Sequence, residues 1–290
     1  MINQTSVRLG SNRSVIRELF EYGKRRKAEI GEDNVFDFSL GNPSVPAPAE
    51  VQSELLNILK NSDPVAVHGY TSAQGDALVR AAIADYINSK FSVGIGADNI
   101  YMTCGAAASL CIVMNSLLNR GDEVITIAPY FPEYKVFVEH AGGTLVPVQG
   151  QKGTFQPDIQ AIKGAVTSKT KAVLINSPNN PSGVVYGEDS IVQLCKILQE
   201  FVEKGQTIYL VSDEPYRELV FGGVKVPYIM NYYDKSIVCY SYSKSLSLPG
   251  ERIGYIAVNP AMSECAEVYA AICGAGRAHG YVCAPSLFQM

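Results

Sequence analysis

A chain of 290 residues, 47% hydrophobic and 18% charged, has the composition of a globular protein with a substantial core, and its length predicts about two domains. A net charge of −4 argues against nucleic acid as a partner. No apolar run approaches the roughly 20 residues of a membrane span, and Met1-Ile2-Asn3-Gln4 opens no apolar signal core, so no membrane is expected and the location is read as cytoplasmic.

The seven cysteines form no Cys-x-x-Cys pair, and three histidines are too few and dispersed for a metal cluster. We read the cysteines as reduced core residues. The one basic run, Lys24-Arg25-Arg26-Lys27, reads as a solvated helix face.

In chain order, residues 12–30 predict an amphipathic helix and 35–40 a short strand stopped by Gly41-Asn42-Pro43. Residues 49–60 and 77–90 predict helices, with an irregular loop over 61–75. Strands and helices then alternate. Strands are predicted at 100–103, 123–127, 145–148, 172–176, 208–211, 237–240 and 253–258. Helices are predicted from 105 to about 118, over 133–141 and over 189–204. The strands are Val/Ile-rich continuous runs, which predicts an α/β fold: a mostly parallel central sheet with helices on both faces. The chemically suggestive polar segments all follow strand ends, at 104–108, 177–183, 213–216 and 241–252. Ligands bind at that edge of an open α/β sheet.

The run from Ser241 to Tyr255 is the most informative. It sets Lys244 among Ser241, Ser243 and Ser245 directly after a strand, with Arg252 eight positions on. Such a lysine can lose its proton and form an imine with an aldehyde. The hydroxyls and the arginine suit a phosphate. Together they suggest pyridoxal phosphate (PLP), although a surface lysine in a Ser-rich turn reads the same way.

Asp213 closes a strand, where its carboxylate suits a protonated pyridine nitrogen or an ordinary turn. Tyr216 and Asn180, the latter in Asn179-Asn180-Pro181-Ser182-Gly183, suit a phenolic oxygen; a core-edge tyrosine and a turn asparagine are the plain readings. Gly105-Ala106-Ala107-Ala108 opens a helix with small residues, which admits an anion at backbone N–H groups or simply packs tightly. Tyr130 and Phe131 suit ring stacking or the core. Gly41 presents a backbone N–H to a substrate carboxylate or forms a turn. Tyr70 has no role readable from composition.

In this order, Gly-Asn-Pro at 41–43, Gly-Tyr-Thr at 69–71, Thr103-Cys104-Gly105-Ala106, Asn180-Pro181-Ser182-Gly183, Asp213-x-x-Tyr216 and Ser241-x-Ser243-Lys244 with Arg252 resemble the fold-type I, class I/II PLP-dependent aminotransferases of the aspartate aminotransferase group. The resemblance covers about residues 35–290. It implies that Lys244 holds PLP as an internal aldimine and moves the proton between Cα and C4′. It implies that Asp213 pairs with the pyridine nitrogen, that Tyr216 and Asn180 bond the phenolic oxygen, and that Ala106, Ala107, Ser241, Ser243 and Arg252 hold the phosphate. Phe131 would stack on the ring, Gly41 would meet the substrate carboxylate, and Tyr70 would reach the phosphate of a neighbouring subunit in a homodimer. The substrates implied are an amino acid and a 2-oxo acid.

The resemblance also implies a domain plan: an N-terminal arm and part of a small domain over 1–45, a PLP-binding large domain over 46–290, and a C-terminal small domain largely missing. Three features depart from the pattern. Ala107 stands where many relatives carry a hydroxyl or lysine, tryptophan is absent, and the chain stops at Met290, so it reads as a partial chain. Arg277 lies only loosely where some relatives place a second carboxylate-binding arginine. The expected reaction is amino-group transfer. The alternatives are another PLP reaction on the same fold, such as a carbon–sulfur β-lyase, and a silent PLP-binding homologue.

Overall fold

Consecutive residues along the strands point into opposite apolar cores, and this period of two sets the architecture. The computed structural model describes residues 2–11, 15–39 and 41–290. It divides into two units, Met1–Pro46 and Ala47–Met290.

The first unit holds α1 (Gln4–Ser11) and α2 (Val15–Ile30). The predicted helix over 12–30 is α2 from Val15 onward; residues 12–14 lie outside the described residues. The predicted strand over 35–40 does not form across 35–39, and Leu40 lies outside the described residues. The Asp37 carboxylate accepts from both the backbone N–H and the hydroxyl of Ser39, at 2.9 and 2.6 Å. Such a local turn competes with strand pairing.

The second unit begins with α3 (Ala49–Asn61), α4 (Pro64–His68) and α5 (Ala77–Phe91). Then come β1 (Ile100–Thr103), α6 (Ala106–Leu117), β2 (Glu123–Ala128), α7 (Glu133–His140), β3 (Thr144–Gln149), α8 (Ile159–Ala165), β4 (Thr170–Asn176), α9 (Glu188–Glu203) and β5 (Tyr209–Asp213). The last elements are β6 (Ser236–Ser241), α10 (Tyr242–Ser245), β7 (Gly254–Val258), α11 (Cys265–Ala278) and α12 (Ser286–Gln289).

Short α4 interrupts the predicted 61–75 loop. Asp63 caps it by accepting from the Val65 N–H, and Pro64 takes the first turn, where a missing N–H costs nothing. Helices α1, α8, α10, α11 and α12 were not predicted. Gly274 and Gly276 dilute the helical signal of α11, yet Gly276 is what lets it dock. A Cβ there would stand 2.2 Å from the Tyr101 hydroxyl.

The seven strands form one sheet in the order β1-β7-β6-β5-β4-β2-β3. β7 is antiparallel to both neighbours, and the other pairs are parallel. The mostly parallel sheet is therefore as expected. Val124, Leu174, Val211, Cys239 and Ile256 face one core with α6, α7 and α11. Their neighbours Ile125, Val173, Leu210, Val238 and Ala257 face the other core with α5, α8 and α9. Helix α9 shows the matching helical period: Ile191, Leu194, Cys195 and Leu198 are all buried. All seven cysteines are free thiols, but only Cys195 and Cys239 are buried.

Gly254 opens β7 at the crowded point of the sheet. A Cβ there would lie 2.3 Å from the Tyr240 carbonyl oxygen and 2.9 Å from the Gly105 Cα. Both are backbone atoms that cannot step aside. Gly254→Ala is therefore expected to lose about 2–4 kcal/mol of stability. Urea unfolding of the two proteins side by side checks this.

Candidate active site

Because only β7 is reversed, β1, β2, β4, β5 and β6 all end at one edge of the sheet. The register brings their last residues together. Thr103 and Ser241 both pair with Gly254, and Asn176 pairs with Asp213. The polar segments singled out in the sequence are thus the carboxyl-edge loops of one sheet, where ligands bind in open α/β folds.

A cleft of about 90 Å³ opens there. It is lined by Ala106, Ala107, Leu110, Phe131, Asn176, Asn180, Asp213, Pro215 and Tyr216. Phe131 lines it and packs edge-on against Tyr134, with ring centroids 5.6 Å apart. A larger cavity of about 740 Å³ lies between α5 and the rings of Tyr240, Tyr242 and Tyr255. Volume alone would favour that cavity. The smaller cleft is the better site because it collects a buried unpaired carboxylate oxygen, a helix start and two hydrogen-bonding side chains.

Asp213 is that carboxylate. It is only 5% exposed. Its Oδ2 accepts from the Tyr134 hydroxyl at 2.6 Å, while its Oδ1 is buried with no partner among the described residues. Burial pushes its pKa up from 3.8 to about 7; the Tyr134 bond opposes the rise and the adjacent Glu214 adds to it. An unpaired buried oxygen costs about 1–3 kcal/mol, so the site is built to receive a donor, best a charged one.

Asn176 aligns the neighbours. Its amide donates to the Asp213 carbonyl at 2.8 Å, and its Oδ1 accepts from the Asn180 N–H at 2.6 Å. One side chain thereby ties the ends of β4 and β5 to the 177–183 turn. Asn180 and Tyr216 line the same cleft, where Asn180 opposes the rise that burial imposes on the Tyr216 pKa.

The other end of the site combines groups that could cradle an anion. The first N–H groups of α6 have no acceptor inside the helix. Arg252 lies against this start: its Nη2 donates to the Cys104 carbonyl at 3.0 Å and its Nη1 to the Pro249 carbonyl at 2.9 Å. A Cβ on Gly105 would fall 2.9 Å from Nη2, so the close approach needs glycine, which also adopts φ +91°. Ser241 and Ser243 are buried beside each other, with hydroxyl oxygens 2.7 Å apart, and the Ser241 hydroxyl accepts from the Ser243 N–H.

Lys244 stands on α10, the single turn that follows β6. It is half-buried, and burial lowers its pKa. Tyr70 is 88% exposed. Its loop is anchored from α12: Ser286 donates to the Gly69 carbonyl, and Gln289 donates to the Thr71 hydroxyl at 3.1 Å. Arg277 is exposed on the last turn of α11. Gly41 belongs to the Met1–Pro46 unit.

The family described as aminotransferase class I and II matches residues 33–275. The chain belongs to this family. It is 33% identical to the aspartate aminotransferase of Thermotoga maritima over 83% of its own length and 63% of that protein's. It is 32% identical to the probable aspartate/prephenate aminotransferase of Aquifex aeolicus over 82% of its length and 58% of the relative's. The chain therefore spans about three fifths of these relatives. Among solved structures, an aminotransferase from Eubacterium rectale superposes with a TM-score of 0.97 at 55% identity, covering 100% of this chain and 73% of that one. The T. maritima aspartate aminotransferase structure gives 0.82 at 28% identity, covering 97% and 72%.

Two residues of this class I and II aminotransferase site escaped the sequence reading. Tyr134 reaches Asp213 from α7, 79 positions away, and no spacing signals that contact. Asn176 was read only as the end of a strand, although a polar residue closing an apolar strand at the ligand edge is a usable signal.

Proposed function

We propose that this chain is the cofactor-binding part of a PLP-dependent aminotransferase that moves an amino group between an amino acid and a 2-oxo acid. The observation that carries the reading is the unpaired, buried Oδ1 of Asp213. A protonated pyridine nitrogen is the donor that such an oxygen lacks, and the rest of the site fits the same group. Asn180 and Tyr216 would hold its phenolic oxygen. Ala106, Ala107, Ser241, Ser243 and Arg252 would hold its phosphate, the two alanines through their backbone. Phe131 would cover its ring.

Bound there, PLP supplies an electron sink that acidifies the Cα–H of an amino acid. The chain does the remaining work. Asp213, ionised beside a cation, keeps the ring nitrogen protonated. Burial makes Lys244 easier to deprotonate than a surface lysine, which would suit its Nζ to hold the cofactor at its aldehyde group, with loss of water, and, once freed, to take up and return a proton. Gly41 would present its N–H to the substrate carboxylate. We place the protein in the cytoplasm as a homodimer, with the exposed Tyr70 reaching the neighbouring site. No helix among the described residues is long and apolar enough to cross a membrane. The domain plan is an N-terminal arm with part of a small domain over 1–45 and the large domain over 46–290.

Absorbance with added PLP, before and after borohydride, tests the reading. A band at about 360–430 nm that becomes a stable adduct on Lys244 supports it, because a buried imine-forming lysine is what that chemistry requires. The absence of a band, or an adduct on another lysine, overturns it.

Tyr134→Phe tests the tuning of Asp213. The Tyr134 hydrogen bond holds the carboxyl down, so its loss is expected to raise the Asp213 pKa further, by about one unit for a bond worth about 1.4 kcal/mol. The ionised carboxylate then appears only at higher pH. PLP affinity measured between about pH 6 and 9 should therefore lose most on the acidic side of that range.

A further inference from the structure

The turn that carries Tyr216 has two faces. Asp213, Pro215 and Tyr216 line the cleft. The two residues between and after them turn into the protein: Glu214 is 1% exposed and Arg217 8%. Their side chains form a buried ion pair, Arg217 Nε to Glu214 Oε2. The rest of the guanidinium holds a different loop. Its Nη1 donates to the Val226 carbonyl at 3.0 Å and its Nη2 to the Pro227 carbonyl at 3.1 Å. Its carbon lies 5.1 Å from the Phe91 ring centroid and 4.9 Å from that of Tyr228. None of these partners lines the cleft.

The arrangement is poor value as a stabiliser. Glu214 Oε1 and the Tyr228 hydroxyl are both buried without a partner. Buried ion pairs seldom outperform apolar side chains of the same volume, because desolvation offsets the attraction. What the pair does supply is direction. A planar guanidinium with every nitrogen engaged fixes the turn one residue after Tyr216, and it fixes it to a loop and a helix end on the far side of the sheet edge.

We propose that Arg217 is a positioning residue for the cofactor: through Glu214 and the 226–227 carbonyls it sets where the Tyr216 hydroxyl stands beside Asn180. This rests on the PLP reading above. Asn180 alone is held by Asn176. The Tyr216 turn is held through its backbone, where the Glu214 N–H donates to the Cys239 carbonyl and the Leu219 N–H to the Tyr216 carbonyl, both at 2.8 Å, and Arg217 adds a side-chain anchor from behind.

The test is a double-mutant cycle on PLP affinity, measured by absorbance titration of the full chain. Arg217→Met and Tyr216→Phe are each expected to weaken binding about tenfold, the effect of one hydrogen bond to a charged acceptor. Together they should weaken it by little more than about tenfold, because both remove the same interaction. Arg217→Lys should fail to rescue, since an ammonium cannot span two carbonyls and a carboxylate in one plane. Glu214→Leu with Arg217→Met serves as the folding control, an apolar replacement expected to keep the thermal midpoint while still losing affinity.

A combined loss near a hundredfold would mean that Arg217 acts independently of Tyr216, and it overturns the proposal while leaving the PLP reading intact. Wild-type affinity in Arg217→Met does the same. If the apolar pair variant does not fold, the pair is structural and the proposal fails. If the wild-type chain takes up no PLP at all, both readings fall together.

Discussion

Under the proposed reading, Lys244→Ala is expected to lower transamination by about 10⁴-fold or more, the scale set by removing a group that would be both nucleophile and proton carrier. Lys244 is the only titratable side chain on α10's single turn besides Tyr242, and burial already biases its amine toward the neutral form. PLP binding should survive in part. Asp213, Asn180, Tyr216 and the α6–Arg252 groups come from other segments and would still meet the cofactor. The measurement is turnover across a panel of amino acids and 2-oxo acids, alongside cofactor content released by alkali. Near-wild-type turnover in the variant would remove Lys244 from the reaction. Bound cofactor without turnover is the expected pattern.

Asp213→Asn should separate stability from function. The carboxyl's pKa in the fold, about 7, lies above its ordinary 3.8. A raised pKa means that the folded state holds the proton more tightly than the unfolded chain. The stability this contributes is complete below about pH 4 and is lost as pH rises through about 7. Above that, the ionised buried carboxylate costs up to about 4 kcal/mol. Asparagine avoids this cost. Its amide nitrogen would in turn lack a partner, at about 1–3 kcal/mol.

Without PLP at pH 8, the variant is therefore expected to be about 1–2 kcal/mol more stable than wild type by urea unfolding. At pH 5 the advantage should vanish. With PLP the order should reverse, because the variant loses the charged pair and about a hundredfold or more in affinity. A variant less stable than wild type at pH 8 without cofactor would show that Asp213 is not a strained, waiting carboxylate.

Much of this was legible in the sequence. The strands declared themselves as apolar runs because a sheet covered on both faces has no polar side to alternate with. Lys244 and Arg252 were readable because both lie on the one connection between β6 and β7, so sequence spacing and spatial spacing nearly coincide. The failures have equally local causes. The strand expected at 35–40 has apolar side chains, but Phe36 and Phe38 are 81% and 91% exposed, and Asp37 spends its hydrogen-bonding capacity on Ser39. Helix α11 was hidden by its glycines, one of which, Gly276, is there for close contact with Tyr101, a residue of a distant strand. Tyr134 acts through a partner that only the fold brings near, and Arg217 through a carboxylate and carbonyls whose nearness in sequence carries no signal of contact. Composition identifies the groups that meet a ligand more readily than those that aim them.

The reversed strand has a consequence for biosynthesis. β1 leaves the ribosome early, yet its one sheet neighbour is β7, where Ile100 pairs with Ala257. At a translation rate of roughly 5–20 residues per second, β1 waits roughly 8–30 s without its strand partner. The Thr103–Gly105 corner, half of the proposed anion cradle, cannot close until Gly254 has arrived. The nascent chain is thus expected to be most dependent on chaperones in that interval, and to gain affinity for phosphate groups only once β7 has been threaded between β1 and β6.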